Sequence, residues 1–470
     1  VVLSALFGDA PLRANGAGLL RAVRQIGGAC AARWRARSLA MISDTEAFKR
    51  PLAGYFRDRF ERLPEPGPRM RVLFVTPYGI YPPVHGGGVF MYQTVRELAR
   101  IAEVHLIAML DWPRELEPHR YVDQFVSSAD YIIRTESAPR QKKLGSAVPH
   151  AVAEFHNADL EWLIHRQIYH HGIDVVQLEY TVMAQYAAGF HQIPSIVFEH
   201  DVYFQSIARG LPTTRKALTR LQARWEYLRA LRYEVRELPK ADRIQVCSRE
   251  NREYLESFVP ELRGRIDDGF RAGVDTASYE FVDSGREPDT MLFLGSFRHL
   301  PNQEALEWFI SGVLPAIREK RPAARLVVIG SDPPPRHSLP RNAEGVELVG
   351  FVEDVRQALA RYAVFICPIL SGSGVRVKLL EAFASGIPVV STRIGAEGLA
   401  WNDGEICGLA DDHAGFAERV VRLLDSPSEA AALARRARAE VVAKRDMRTM
   451  TAALLDSYRS AAASMRKGRD

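Results

Sequence analysis

The sequence predicts an α/β chain built mainly from two consecutive doubly wound parallel sheets, and three observations carry that prediction. At 470 residues the chain is too long for one ordinary core, so two to three domains are expected. From residue 71 onward, short apolar runs alternate with helix-length segments, the pattern of repeated βαβ units whose strands are buried on both faces. The pattern restarts near Met291, which divides the region into two halves.

Taken in order, strands are expected at Arg71–Thr76, Val104–Leu110, Tyr131–Ile133, Val175–Leu178, Ser195–Phe198 and Arg243–Cys247. A Gly-rich loop after the first of these leads into a helix over Phe90–Ile101. The second half offers Met291–Gly295, Arg325–Gly330, Val346–Gly350, Val364–Pro368, Pro388–Thr392 and Ile406–Ala410, with a helix over Gln303–Lys320. Between Arg215 and Arg243, Leu221, Trp225, Leu228 and Leu231 recur at helical spacing and predict an amphipathic helix packed on the sheet. The expected division is a basic helical extension and Pro-rich linker at 1–68, a first domain at 69–270, a second at 271–445, and a C-terminal helix and tail at 446–470. In the extension, Arg13, Arg21, Arg24, Arg33, Arg35 and Arg37 are interleaved with Ala and Leu, and Pro64, Pro66 and Pro68 break any helix that follows.

Composition narrows the function. A hydrophobic fraction of 47% with 25% charged residues belongs to a globular chain. No apolar run reaches the ~18 to 20 residues that span a bilayer, so a cytoplasmic protein is expected, with peripheral contact at a membrane surface as an option for the basic extension. The net charge of +5 favours anionic partners. Nucleic acid is not expected among them, because the Arg-rich stretch reads as a packing helix. Cys30, Cys247, Cys367 and Cys407 lie far apart with no Cys-x-x-Cys pair, so zinc and dithiol sites are unsupported and each reads as a small buried hydrophobe. No metal site and no cofactor are expected, and no Asp-x-Asp occurs in the chain.

Chemistry concentrates after the Val364 strand, in Ser371-Gly372-Ser373-Gly374-Val375-Arg376-Val377-Lys378-Leu379-Leu380-Glu381. Alternating Ser and Gly let the backbone turn tightly and approach a ligand. A helix is expected to start near Gly374 and to end at Gly386, and its N-terminus would suit a phosphate group. Lys378 and Glu381 stand three residues apart and share one helix face. There an ammonium can hold a diphosphate and a carboxylate can accept ribose hydroxyls; a plain surface Lys–Glu pair is the competing reading. No Gly-Lys-Ser/Thr is present, and a third glycine of the dinucleotide pattern is missing because Val377 occupies its place.

These residues bring a resemblance with them. Gly374 to Ala384, then Gly386-Ile387-Pro388-Val389-Val390-Ser391-Thr392, then Gly395-Ala396-Glu397-Gly398-Leu399, resemble the donor-binding half of family-four retaining glycosyltransferases (glycosyl transferases group 1) with the GT-B fold. Phe293-Leu294-Gly295-Ser296-Phe297 with Pro301-Asn302, and Val349 to Val355, resemble a branch found in bacterial polysaccharide assembly. The resemblance implies two Rossmann-like domains facing across a cleft, here with an N-terminal helical extension. It implies transfer of a sugar from a nucleoside diphosphate sugar to an acceptor hydroxyl, on a glycan or lipid-linked glycan, with retention and without a metal. Glu381 would bind the ribose, Lys378 the diphosphate, and Arg298 would be a second phosphate cation. Gly374 and Val375 would line the donor site, with Phe351 and Val352 beside the base. Ser373 stands where the family places the first glutamate of its pair, the one that contacts the donor sugar. Gly87 and Gly88, in Pro82-Pro83-Val84-His85-Gly86-Gly87-Gly88, would face the diphosphate from the first domain. His200, in Phe198-Glu199-His200-Asp201-Val202, matches a cleft histidine and is the candidate catalytic residue, with Glu179 a weaker acceptor-side candidate. A nucleotide-sugar epimerase on the same fold and a catalytically silent scaffold are the alternatives.

Overall fold

The computed structural model describes residues 69–83, 86–134, 147–190, 193–211, 217–340 and 343–467, all within one compact unit, Pro66–Asp470. The expected extension and linker at 1–68, with Cys30, lie outside the described residues.

The first sheet contains β1 (Arg71–Thr76), β2 (Glu103–Leu110), β3 (Ser128–Ile133), β4 (Val175–Glu179), β5 (Ser195–Glu199), β6 (Arg243–Val246) and β7 (Ile266–Asp267). All pairs are parallel, in the order β3-β2-β1-β4-β5-β6-β7. Val72, Leu73, Phe74 and Val75 are wholly buried, as a strand with helices on both faces requires. Helix α1 (Gly86–Ile101) follows β1 and turns Phe90, Met91, Val95 and Leu98 inward. Each such buried side chain contributes about 1.5–3 kcal/mol relative to exposure. Beyond β5 come α2 (Tyr203–Gly210), α3 (Ala217–Glu237) and, after β6, α4 (Arg249–Phe258).

The α3 helix forms where expected but does not pack as expected. Leu221 is 55% and Trp225 44% exposed, and the inward positions are instead Arg229, Ala230, Tyr233 and Glu234. Helical spacing defined a face but not which face turns inward. Tyr233 donates to the Thr181 carbonyl and Glu234 accepts from the Phe204 amide, so hydrogen bonds seat this helix where leucines were expected to.

The second sheet contains β8 (Glu287–Leu294), β9 (Arg325–Ile329), β10 (Val346–Gly350), β11 (Tyr362–Cys367), β12 (Val389–Ser391) and β13 (Gly408–Leu409), in the order β10-β9-β8-β11-β12-β13, again all parallel. The expected helix at 303–320 begins earlier, as α5 (Leu300–Trp308), passes through a π turn over Phe309–Val313 and continues as α6 (Leu314–Lys320). Pro301 falls in the first turn, where its missing N–H costs nothing. The helix expected to start near Gly374 starts later, as α7 (Val377–Ser385). Gly372 and Gly374 have φ of +97° and +77°, a left-handed backbone that cannot begin an α-helix. Gly386, at φ +75°, ends α7 as placed.

The last helix, α8 (Met447–Lys467), returns to the first domain and packs on α1. Tyr458, wholly buried, donates to Gln177 in β4 at 2.8 Å. Cys247, Cys367 and Cys407 are buried and unbridged. No helix among the described residues is long and apolar enough to cross a membrane.

Candidate active site

Each sheet reverses its strand order at one place, between β1 and β4 in the first and between β8 and β11 in the second, and open parallel sheets bind ligands beyond the strand ends there. The Lys378 side chain reaches that point in the second domain. Its Nζ donates to the Leu294 carbonyl at the end of β8 (2.8 Å) and to Asn302 Oδ1 (2.9 Å), and lies 4.7 Å from the centre of the Phe293 ring. Gly295 makes this arrangement possible, because a β-carbon there would sit 2.9 Å from Asn302 Cγ. Burial pushes the Lys378 ammonium down to about 8. One turn on, Glu381 Oε1 accepts from Tyr279 Oη at 2.8 Å. Burial pushes the Glu381 carboxyl up to about 7 against the pull of that hydrogen bond. Phe351 follows β10 and is 59% exposed, while Val352 beside it packs against the core.

In the first domain the ends of β4 and β5 bring Glu179 and His200 together. His200 Nε2 lies 2.7 Å from Glu179 Oε2, and Arg271 Nη2 donates to Glu179 Oε1, also at 2.7 Å. Burial alone would raise the Glu179 carboxyl, but the Arg271 charge and the hydrogen bonds from His200 and Arg271 outweigh it, so the group is held below its ordinary value. Burial, and the Arg271 charge in the same sense, hold the His200 imidazole below its ordinary value. Tyr180 stacks on His200 with centroids 3.7 Å apart and planes 7° from parallel. That position requires φ of +72° at Tyr180, a conformation costing a bulky residue about 1–3 kcal/mol.

The two halves meet around the Ser-Gly loop. A β-carbon at Gly374 would lie 2.4 Å from the His200 carbonyl oxygen, and one at Gly398 would lie 2.7 Å from Ser248 Cβ. Ser373 donates to Gln205 Oε1 (2.8 Å) and accepts from Asn251 Nδ2 (2.9 Å). Arg209 pairs with Glu397 and donates to the Gly372 carbonyl. Arg376 gathers the loop from within by donating to the carbonyls of Gly374 and Ser371. A β-carbon at Gly86 would stand 3.9 Å from Val377 Cβ, so the N-termini of α1 and α7 face each other across the cleft. Both turn the positive end of a helix dipole toward that contact.

A family model described as Glycosyl transferases group 1 matches residues 288–426. That stretch is a glycosyltransferase domain. Over 131 residues the chain is 30% identical to a phosphatidyl-myo-inositol mannosyltransferase of Propionibacterium freudenreichii, covering 26% of this chain and 32% of that protein. It is 27% identical over 154 residues to an uncharacterized 44.6 kDa protein in the cps region of Klebsiella pneumoniae, covering 28% of this chain and 36% of that one. The chain thus spans about a third of the length of these curated relatives. Among solved structures, sucrose-phosphate synthase of Thermosynechococcus elongatus is similar at TM-score 0.63 and 17% identity, over 84% of this chain and 100% of that one. Anabaena HepE in complex with UDP is similar at TM-score 0.57 and 15% identity, over 83% of this chain and 100% of that one. The fold is GT-B, two Rossmann-like domains with parallel sheets.

Within the glycosyltransferase domain, Lys378, Glu381, Gly374, Val375, Phe351 and Val352 all lie beyond strand ends or at the start of α7. Gly87 and Gly88 are not loop residues as expected but belong to the first turn of α1. Arg298 stands apart: its side chain is 78% exposed and paired with Asp332 at 2.7 Å, with no hydrogen bond to α7 among the described residues. The hydroxyl of Ser373 is engaged by Gln205 and Asn251 across the cleft. Sequence reading missed Arg271, Tyr279, Arg209 and Asn251. The first two lie in the segment joining the domains, where no local periodicity marks a residue as buried.

Proposed function

We propose that the chain transfers a sugar from a nucleoside diphosphate sugar to an acceptor hydroxyl, with retention of configuration and without a metal ion. The observation that carries this reading is the approach of the N-terminus of α1 to that of α7, the helix that bears Lys378 and Glu381. Diphosphate charge would be met by helix dipoles and the Lys378 ammonium, and the ribose by Glu381. Phe351 would lie against the base. The Lys378 ammonium and the helix dipoles bind the departing diphosphate better than the intact donor, which is where rate acceleration arises. Retention through a covalent intermediate needs a free carboxylate beside the sugar. Glu179 has both oxygens engaged, and Glu199 is 1% exposed and accepts from Thr181, which supports displacement on a single face. UDP in the HepE complex supports a nucleotide donor, and the name of the mannosyltransferase supports a lipid-linked acceptor.

The test is calorimetric titration of nucleoside diphosphate sugars into the wild-type protein and two variants. Lys378→Ala and Glu381→Ala are each expected to weaken binding by about 1–3 kcal/mol, the range for hydrogen bonds to charged groups. Unchanged affinity in both, with the fold intact, rejects the site. Product analysis separates transfer from epimerisation, since only transfer requires an acceptor.

A further inference from the structure

The first domain holds a chain of contacts that its packing alone does not require. Arg271 is 1% exposed, its guanidinium 4.0 Å from the Phe198 ring centre, with Nη1 donating to Gln245 Oε1 (3.2 Å) and Nη2 to Glu179. Glu179 is wholly buried and passes its second oxygen to His200 Nε2. Every other side of the imidazole is fixed as well. Tyr180 lies flat on one face, Phe198 tilts toward it at 4.2 Å, Phe90 meets it edge-on at 5.5 Å, and Cys247 Sγ donates to the His200 carbonyl. Among the described residues, Nδ1 has no hydrogen-bond partner, and it is not among the buried unpartnered atoms. The ring is therefore gripped on all sides but one.

A carboxylate with both oxygens accepting can take only a donor from the imidazole, so the proton shared with Glu179 belongs to Nε2 and the lone pair to Nδ1. Resting on the transferase reading above, we infer that Glu179 and Arg271 are positioning residues that lock His200 in the Nε2–H tautomer and aim the Nδ1 lone pair at a hydroxyl of the bound sugar or acceptor. Arg271 keeps Glu179 ionised, Glu179 holds the proton on Nε2, and Tyr180 sets the plane of the ring. The other charged group near the ring is Asp201, the next residue along the chain; its carboxyl is raised by burial, with Arg376 pulling it back, and among the described residues it makes no hydrogen bond to the imidazole. His200 then orients a hydroxyl by accepting from it, and does not itself supply a proton.

The decisive measurement is the 15N spectrum of histidine-labelled protein, with His200 assigned by its loss in His200→Gln. The wild type is expected to show the Nε2–H tautomer near neutral pH; an Nδ1–H tautomer or an imidazolium there would overturn the inference without any variant. In Glu179→Gln the amide can donate to Nε2, so the proton should move to Nδ1. Turnover should then fall by about 10-fold or more while KM for the nucleotide sugar stays unchanged. Arg271→Lys keeps a positive charge but loses the fork, and should show the same split with a smaller loss. A Glu179→Gln protein with wild-type turnover and an unmoved tautomer also refutes the assignment. If the wild type transfers no sugar from any donor, the functional reading fails while the spectra still decide the positioning claim.

Discussion

Gly374→Ala tests the contact between the two domains most sharply. The glycine sits at φ +77°, and its added β-carbon would lie 2.4 Å from the His200 carbonyl oxygen and 3.5 Å from Asp201 Cβ. Holding alanine in that backbone region costs about 1–3 kcal/mol. Relieving a contact against backbone in a packed site adds about 1–3 kcal/mol. The obstructing atom belongs to the other domain, so the cheapest relief is to hold the cleft wider. The cost then falls on every conformation in which donor and acceptor sides meet. Only the contact cost depends on closure, and at its low end about 1 kcal/mol corresponds to roughly a 5-fold loss in kcat/KM, since 1.4 kcal/mol is tenfold. Steady-state transfer assays and small-angle scattering are the measurements: kcat/KM should fall at least that far and the radius of gyration should rise. A variant with wild-type kcat/KM and an unchanged scattering profile would refute the argument that this glycine is required by the neighbouring carbonyl.

The affinity for a nucleotide sugar should be bell-shaped in pH. Glu381, raised to about 7, must be ionised to accept ribose hydroxyls, so affinity falls as pH drops below about 7; Lys378, lowered to about 8, must be charged to hold diphosphate, so affinity falls as pH rises above about 8. For the unliganded fold the signs differ: Glu381 contributes stability that is lost as pH rises through about 7, and the penalty on charged Lys378 is relieved as pH rises through about 8. Titrations across this range should lose the alkaline limb in Lys378→Met and the acid limb in Glu381→Gln; a flat profile in the wild type contradicts both assignments. Arg209→Ala leaves Glu397, 7% exposed, without its cation, and because Arg209 itself is 26% exposed the loss should be about 1–2 kcal/mol in urea unfolding, with a more open scattering envelope. Phe351→Ala should weaken nucleotide binding by about 1–3 kcal/mol, the range for aromatic stacking on a base, and leave unfolding unchanged because the ring is 59% exposed.

The sheets were readable because their strands are buried on both faces, and an apolar run such as Val72–Val75 has no other stable use. The Lys378–Glu381 face was readable for a related reason: two residues on one helix turn share a side whatever the rest of the chain does. What escaped depends on partners far away in sequence. Ser373 meets Asn251 across 122 positions and Gln205 across 168, so nothing local announced that its hydroxyl was already engaged. Arg271 sits among Gly269, Phe270, Ala272 and Gly273, where an arginine suggests solvent; only the assembled sheet shows that Glu179 and Gln245 wait for it. The inward face of α3 was misjudged because leucines and a tryptophan at helical spacing looked like core, while Tyr233 and Glu234 supply the inward contacts.

The return of α8 to the first domain sets the order in which the protein can be completed. Gln177 lies in the fourth strand, yet the side chain that satisfies it, Tyr458, follows only 281 residues later. The first domain therefore emerges from the ribosome without one of its walls, and α1 keeps an uncovered apolar flank until the whole second domain has followed. Cutting the chain between its sheets would leave the first piece lacking that helix and the second carrying a helix with nothing to cover. The two halves are separate in their sheets but must mature together.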